Sequence, residues 1–410
     1  MLKDVRVLEI SDLPTMMAGQ ILADLGADVV TVEPPGGAPG RRIEPFAGDI
    51  PGLERSLTWQ SLNRNKRGMT LRPDCADGRD LIAALGAKFD IVIEAAWTGA
   101  DRPLRDIALP EHLVHCVITP FSRSGPKSGY RAADLTLMAA SGAPGMAGDP
   151  DRPPLFFPVP QAMLEAGAET AVAALAGLAA KGRDGLGQDI DISARTAAMM
   201  SAFSRTIAAF SGDKPAVRSG IAGGGLAGAR SLPGIFSCRD GYVLVSIVFG
   251  AGFIGMTKQM ATWAIAEGAL APAFSEVEWL AAGRGMTSNP AARRAVEALV
   301  EAVTDLCAGR CKTEIAAVAR RYGFMAAPVM TMEDTANAAQ YRERGLFVST
   351  RIAPDGPLID VPARFAQYSN YSIEIHRPAP SLSEHTAEIL MGELHLSMPE
   401  VQALFIHGVI

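Results

Sequence analysis

Charge is scarce in this chain, and what there is leans acidic: charged residues make up 20%, 44 Asp and Glu against 38 Lys and Arg, with a net charge of −6 and a pI near 5.6. That balance excludes the basic footprint of a nucleic-acid-binding protein, so any anionic ligand has to be met by local clusters of Arg and Lys. Cysteine is sparse too, with five residues at 75, 116, 238, 307 and 311. An odd, scattered set is no disulfide framework. Cys307 and Cys311 stand four apart, the spacing of one helix face, but have no histidine beside them; they are expected to pack a helix, and no metal site is expected. Long apolar runs are missing as well. The stretch 171–180 is typical of the longest and falls short of the ~20 residues that span a bilayer. The opening MLKDVRVLEI enters a strand-like run without the charged and apolar regions of a signal peptide. A soluble, reduced, cytoplasmic protein without membrane or nucleic-acid partners is the expectation.

What is present is a repeating strand–helix pattern. Residues 5–10 (VRVLEI) form a short apolar run, 16–27 have helical spacing, and 28–33 (DVVTVE) form a second β-branched run. The pattern returns as a helix over 78–89 and strands over 89–96 and 114–121. Strand, helix and strand at this spacing predict right-handed βαβ units and a doubly wound parallel sheet. A Pro/Gly-rich loop over 34–54 interrupts them, and loops of that length in compact domains usually bind something. A long helix and the strand QDIDIS follow 160. The glycine-rich span 206–229, which contains Gly223–Gly225, reads as a linker or a ligand-covering loop. A hairpin with Asp-Gly near its turn opens a second, smaller α+β domain over 230–330, and 331–410 return as strands and a final helix. The first domain is therefore placed at 1–205. A chain of 410 residues is long enough for two cores. None of the six histidines sits in a metal-ligand or nucleophile-elbow pattern.

Six segments resemble, in order, the signatures of the class III CoA-transferase family, that of formyl-CoA transferase and carnitine CoA-transferase (CaiB/BaiF). They are LADLGADVVTVEPPGG, SLTWQSLNRNKRGMTL, ITPFSRSGP, GLGQDIDIS, PGIFSCRDGYVLVS and RPAPSLSEHT. The resemblance implies a Rossmann-like large domain, a small domain, two chains threaded through one another, and coenzyme A as substrate together with an acyl donor and a carboxylic acid acceptor. Read from the residues, phosphates and an adenine call for cations beside glycine turns: Arg41 and Arg42 after Gly36-Gly37, then Asn65, Lys66, Arg67, Arg102 and Arg131. The resemblance adds Leu71, Arg72 and the segment Ala95 to Trp97.

In that family an Asp lies four residues before the glycine of a G-x-x-x-A-x-A-x-L helix and attacks the thioester. Counting back from Gly167 places Met163 there. A thioether cannot carry an acyl group as a carboxylate does. The nearest acid is Glu165, two residues on, and Gln161 could bind a substrate carboxylate but forms no anhydride. The His-Asp pair of the family's racemases reads Ala133-Asp134 here, so a racemase is not expected and Asp134 is given a hydrogen-bonding role. His385 matches a segment with a structural role. The stretch PQAMLEAGAETA resembles the non-catalytic partner of two-subunit transferases of the succinyl-CoA:benzylsuccinate type. Three readings follow: a non-catalytic subunit beside an Asp-bearing sister, a divergent homodimer using Glu165, or a CoA-binding protein without transfer chemistry.

Overall fold

The structure is a computed structural model and describes residues 1–96, 98, 101–212, 218, 232–352 and 356–410. The chain divides into two units, the first made of Met1–Ala143, Phe156–Asp213 and Ala339–Ile410 and the second of Pro144–Leu155 and Lys214–Ala338. The Gly223–Gly225 segment lies outside the described residues.

In the first unit, β1 (Arg6–Ile10), α1 (Leu13–Asp24) and β2 (Asp28–Glu33) form the first βαβ unit, followed by α2 (Leu57–Leu62), β3 (Lys66–Thr70), α3 (Ala76–Gly86), β4 (Ile91–Ala95) and β5 (Val114–Thr119). Then come α4 (Asp134–Ser141), α5 (Gln161–Asp184), β6 (Gln188–Ser193), α6 (Ala194–Met200) and α7 (Phe203–Phe210). The six strands pair in parallel in the order β3-β2-β1-β4-β5-β6. The order reverses at β1, whose neighbours β2 and β4 lie on opposite sides.

The apolar alternation of the strands feeds two cores. Val7, Val29, Ile91 and Val114 join α1 and α5 on one face, while Leu8, Val30, Val92 and Met69 meet α3 on the other. Strands covered on both faces are continuous apolar runs, as parallel sheets require. Helix α1 begins at Asp12, whose side chain caps Leu13 N–H and whose backbone N–H is met in return by Thr15. Helix α5 ends at Gly185, which takes φ 78°. Its Gly167 lets α1 approach: a Cβ there would lie 2.4 Å from the Pro14 carbonyl oxygen.

Helix α5 corrects one expectation. It has 24 residues, of which an 18-residue stretch has a mean hydropathy of 1.3, long and apolar enough by length and composition to cross a membrane. The sequence reading counted only unbroken apolar runs. In the fold, the small residues Ala166, Gly167, Ala171 and Ala174 are buried, with Ala166 and Ala174 in the core shared with α1 and β5.

The second unit holds β7 (Ile235–Cys238) and β8 (Gly241–Val245), then α8 (Ile254–Ala266), α9 (Trp279–Gly285), α10 (Pro290–Ala308), α11 (Lys312–Tyr322), β9 (Ala326–Pro328) and α12 (Met332–Ala336). Its strands form an antiparallel β7-β8-β9 sheet, and Trp263, Val296, Leu299, Val303 and Ile315 centre its core. Cys307 and Cys311 do not share one helix. The C-cap Gly309 closes α10, and Cys311 is the N-cap of α11.

Burial pushes both Cys116 and Cys307 thiols up to about 12, whereas Cys75, Cys238 and Cys311 are half-buried. The thiolate is the reacting form. At pH 8 a thiol reagent is therefore expected to reach at most three of the five cysteines in the native chain (five less the two buried). The other two should react only on unfolding, which a titration with and without denaturant reads directly.

The chain then returns to the first unit through α13 (Ala339–Glu343), the antiparallel pair β10 (Phe347–Arg351) and β11 (Leu358–Pro362), α14 (Thr386–Leu394) and α15 (Met398–Ile406). Among the described residues no group of three His, Cys, Asp or Glu could hold a metal.

Candidate active site

A cavity of about 230 Å³ opens at the carboxyl edge of the parallel sheet. It is lined by the turn after β1 (Asp12, Leu13, Pro14), the end of β4 with Ala96, and the end of β5 with Pro120. The first turns of α4, α5 and α6 complete it through Asp134, Met163 and Ala194, with Pro39 and Ile43 from the long loop. This is the crevice at a topological switch point, where open α/β sheets bind ligands because strand ends diverge and helix N-termini converge. The cavity is largely apolar, and its charged lining residues are Asp12 and Asp134.

Both carboxylates are engaged as helix caps. Asp12 Oδ1 accepts the Leu13 N–H at 2.7 Å. Asp134 Oδ1 accepts the Met163 N–H at 2.9 Å, and the N–H groups of Ala162 and Gln161 also stabilise its charge. Asp134 thus caps α5 from another element, since the N-cap residue Pro160 offers no side-chain bond. Burial raises both above the usual carboxylate range, against those N–H groups. The hydrogen-bonding role expected of Asp134 is what the geometry holds.

Met163 is half-buried on the cavity wall. Glu165, two residues on, is not among the lining residues. Burial, then Asp134 and Glu169, push its carboxyl up, and its Oε2 is buried without a hydrogen-bond partner. Gln161 sits in the same first turn.

The cations singled out from sequence divide in two. Arg41 is fully buried, its fork closed on Glu33 at 2.6 and 2.8 Å, with Glu54 at 2.9 Å and the Pro380 carbonyl at 2.9 Å. It stacks on Trp59, 3.8 Å from the ring centroid. Lys66 is fully buried against Glu9 at 2.7 Å, the Met16 carbonyl and Asn63. Asn65 takes φ 64° and its amide ties the backbone of Glu374, His376 and Arg377. Arg67 pairs with Asp28 at 2.6 Å and Glu388 at 3.2 Å, and Leu71 is in the core. Those five hold the fold, and in this arrangement neither Arg41 nor Lys66 presents charge to a ligand.

Arg42, Arg72 and Arg131 are exposed. Arg42 leans on the Gly36 carbonyl at 2.7 Å, Arg72 on Asp74 and Arg131 on Asp101, contacts solvent keeps weak. Arg102 is half-buried, 3.8 Å from Glu94. Ala95 lines the cavity, and Trp97 lies outside the described residues. His385 accepts the Gly68 N–H at 3.2 Å.

Sequence reasoning missed Thr119. It is 1% exposed, lines the cavity, and its Oγ1 has no hydrogen-bond partner. Its one signal is position: it closes a parallel strand, immediately before Pro120.

The sequence matches the model of CoA-transferase family III over residues 2–386. The chain belongs to that family. Among curated relatives of this CoA-transferase family III member is the succinyl-CoA:(R)-benzylsuccinate CoA-transferase subunit BbsE of Thauera aromatica. The two are 28% identical over 402 residues, covering 94% of this chain and 92% of BbsE. The succinate–glutarate CoA-transferase of Agrobacterium fabrum is 26% identical over 402 residues, covering 95% and 94%. The crystal structure of a CaiB/BaiF family protein from Brucella suis superposes with a TM-score of 0.76 at 25% identity, covering 96% of this chain and 99% of that one. Homologues in this family transfer CoA between acids.

Proposed function

We propose that this chain binds a CoA thioester at the carboxyl edge of its sheet and serves as the Asp-lacking subunit of a two-subunit CoA-transferase, beside a sister chain that supplies the acyl-carrying carboxylate. The observation that carries this reading is the composition of the cavity. Met163 occupies the helix turn where the family resemblance puts the nucleophile, and the two carboxylates on the wall are committed to capping α1 and α5. Such a cavity can hold an acyl group but offers nothing free to carry it. The likeness to BbsE, itself a subunit, supports the same assignment.

Arg42 and Arg131 are the exposed cations we assign to the CoA phosphates, together with the exposed Arg72 and the half-buried Arg102. A partner chain, identical or sister, fits the face of α7, whose Phe203, Ile207 and Phe210 are all exposed. Five free cysteines and a CoA substrate suit a reducing cytoplasm.

Mass spectrometry after incubation with acyl-CoA and hydroxylamine or borohydride tests the reading. The chain alone is expected to bind CoA and to carry no trapped group, and Glu165→Gln is expected to change nothing. An adduct at Glu165, lost in Glu165→Gln, would instead establish a homodimer with a displaced nucleophile.

A further inference from the structure

The carboxylate beside Arg102 is engaged by another residue. Glu94 is fully buried near the end of β4, and a buried carboxylate needs partners for both its oxygens. Its Oε2 accepts the Leu104 N–H at 2.9 Å. Its Oε1 lies 3.1 Å from His115 Nε2, while Arg102 Nη1 stays at 3.8 Å, beyond hydrogen-bond reach. A carboxylate only accepts, so Nε2 is the nitrogen that donates to Glu94. The sheet register dictates this meeting. His115 stands opposite Val92 on β4 and Asp189 on β6, and Glu94 is two residues beyond Val92, on the same face. The far side of the ring is held as well: Nδ1 is 3.5 Å from Asp189 Oδ1, and Arg123 Nη1 meets Asp189 at 2.8 Å.

We infer that His115 is a positioning residue: by satisfying Glu94 it keeps the Arg102 guanidinium from closing on that carboxylate and leaves its charge available to a CoA phosphate. This rests on the reading of the chain as a CoA binder and adds a residue that governs one of the cations through Glu94 rather than through the ligand. Without the imidazole, Glu94 Oε1 has, among the described residues, only Arg102 beside it. A long side chain closes a 3.8 Å separation by a small rotation. Arg102 would then be neutralised inside the fold, as Arg41 is on Glu33, and a cation so paired offers little to a phosphate.

Isothermal titration of CoA into the full chain tests the inference. Arg102→Gln is expected to bind CoA about tenfold more weakly than wild type, the size of one lost charge-assisted bond. His115→Leu should lose about fivefold, and in the Arg102→Gln background the same change should cost less than about twofold, because the cation it frees is gone. Adding Glu94→Gln to His115→Leu removes the competing charge and should return the affinity to within about twofold of wild type. A histidine with a merely structural role would show neither the coupling nor the rescue. Two more variants separate the ring nitrogens. His115→Gln puts an amide where Nε2 stands and should keep the affinity, whereas His115→Asn is too short to reach Glu94 and should behave like His115→Leu.

Additive losses from His115→Leu and Arg102→Gln, no rescue by Glu94→Gln, or an Arg102→Gln variant that binds CoA like wild type overturns the inference, while CoA binding by wild type keeps the functional reading. If wild type does not bind CoA, both fall. His115→Asn carries the same coupling and rescue predictions as His115→Leu, so a leucine variant that fails to fold still leaves the inference decided.

Discussion

Lys66→Met is expected to lower the stability of the chain by about 3–5 kcal/mol, the range for breaking a buried ion pair by removing one partner. Lys66 and Glu9 are both fully buried, and the ammonium donates at 2.7 Å to Glu9, 3.0 Å to the Met16 carbonyl and 3.0 Å to Asn63. Methionine fills much the same space and, among the described residues, leaves the Glu9 carboxylate with only Thr31 Oγ1, at 3.0 Å. Burial already raises the Glu9 carboxyl, opposed chiefly by Lys66, and lowers the Lys66 ammonium. Without Lys66 the carboxyl rises further.

A carboxyl raised on folding binds its proton more tightly in the native state. It adds stability below its unfolded value, and that contribution disappears as pH climbs through the folded one. The variant should therefore be closest to wild type near pH 4.5 and furthest from it at pH 8, in urea denaturation at the two pH values. Adding Glu9→Gln should recover most of the loss. A deficit under about 1 kcal/mol at pH 8 would mean that the pair adds little to the fold.

Met163→Asp should turn a chain that carries no acyl group into one that carries about one per molecule. The new carboxylate would stand on the same wall as Asp134, at the N-terminal turn of α5. Its oxygen would attack the thioester carbonyl, the C–S bond would break, and CoA would leave as the thiolate. Hydroxylamine would intercept the resulting anhydride, and mass spectrometry would locate it. Met163→Asn offers the same shape without a nucleophile and should stay unlabelled.

The substitution also has a pH signature. Two carboxylates sharing a small apolar space cannot both ionise cheaply, so one of them titrates high. Stability relative to wild type should be best near pH 5 and fall toward pH 8. A variant that binds acyl-CoA and forms no adduct would mean that position 163 is not where the acyl group is presented.

The two predictions also mark what was readable in the chain. Strands such as VRVLEI and DVVTVE are apolar on both faces, so the parallel sheet was legible from periodicity alone. The cavity was legible only in part. Met163, Ala95 and Asp134 were all reached through family patterns. Arg41 and Lys66 have the right chemistry beside the right glycines, but their partners Glu33, Glu9 and the Pro380 carbonyl lie 8, 57 and 339 residues away. Composition cannot distinguish a cation that meets a phosphate from one that is neutralised inside the fold. Thr119 carried still less signal, because a threonine at a strand end looks like any β-former. What sets it apart is an unmet hydrogen bond, a property of three-dimensional surroundings.

The closing stretch of the chain is stitched to its opening one. Asn65 is bonded to the backbone of Glu374, His376 and Arg377, Trp59 Nε1 to the Pro380 carbonyl, and the Thr70 N–H to Thr386 Oγ1. These bonds join residues more than 300 positions apart, and the smaller unit is translated in between. On a ribosome that adds about 5–20 residues per second, the first half of the sheet emerges well before the segment that covers its β3 edge. An uncovered strand edge is a template for unwanted pairing. The half-finished sheet therefore persists through the synthesis of a whole second unit, and a chain shortened past Thr386 would leave the β3 edge without the Thr70–Thr386 bond.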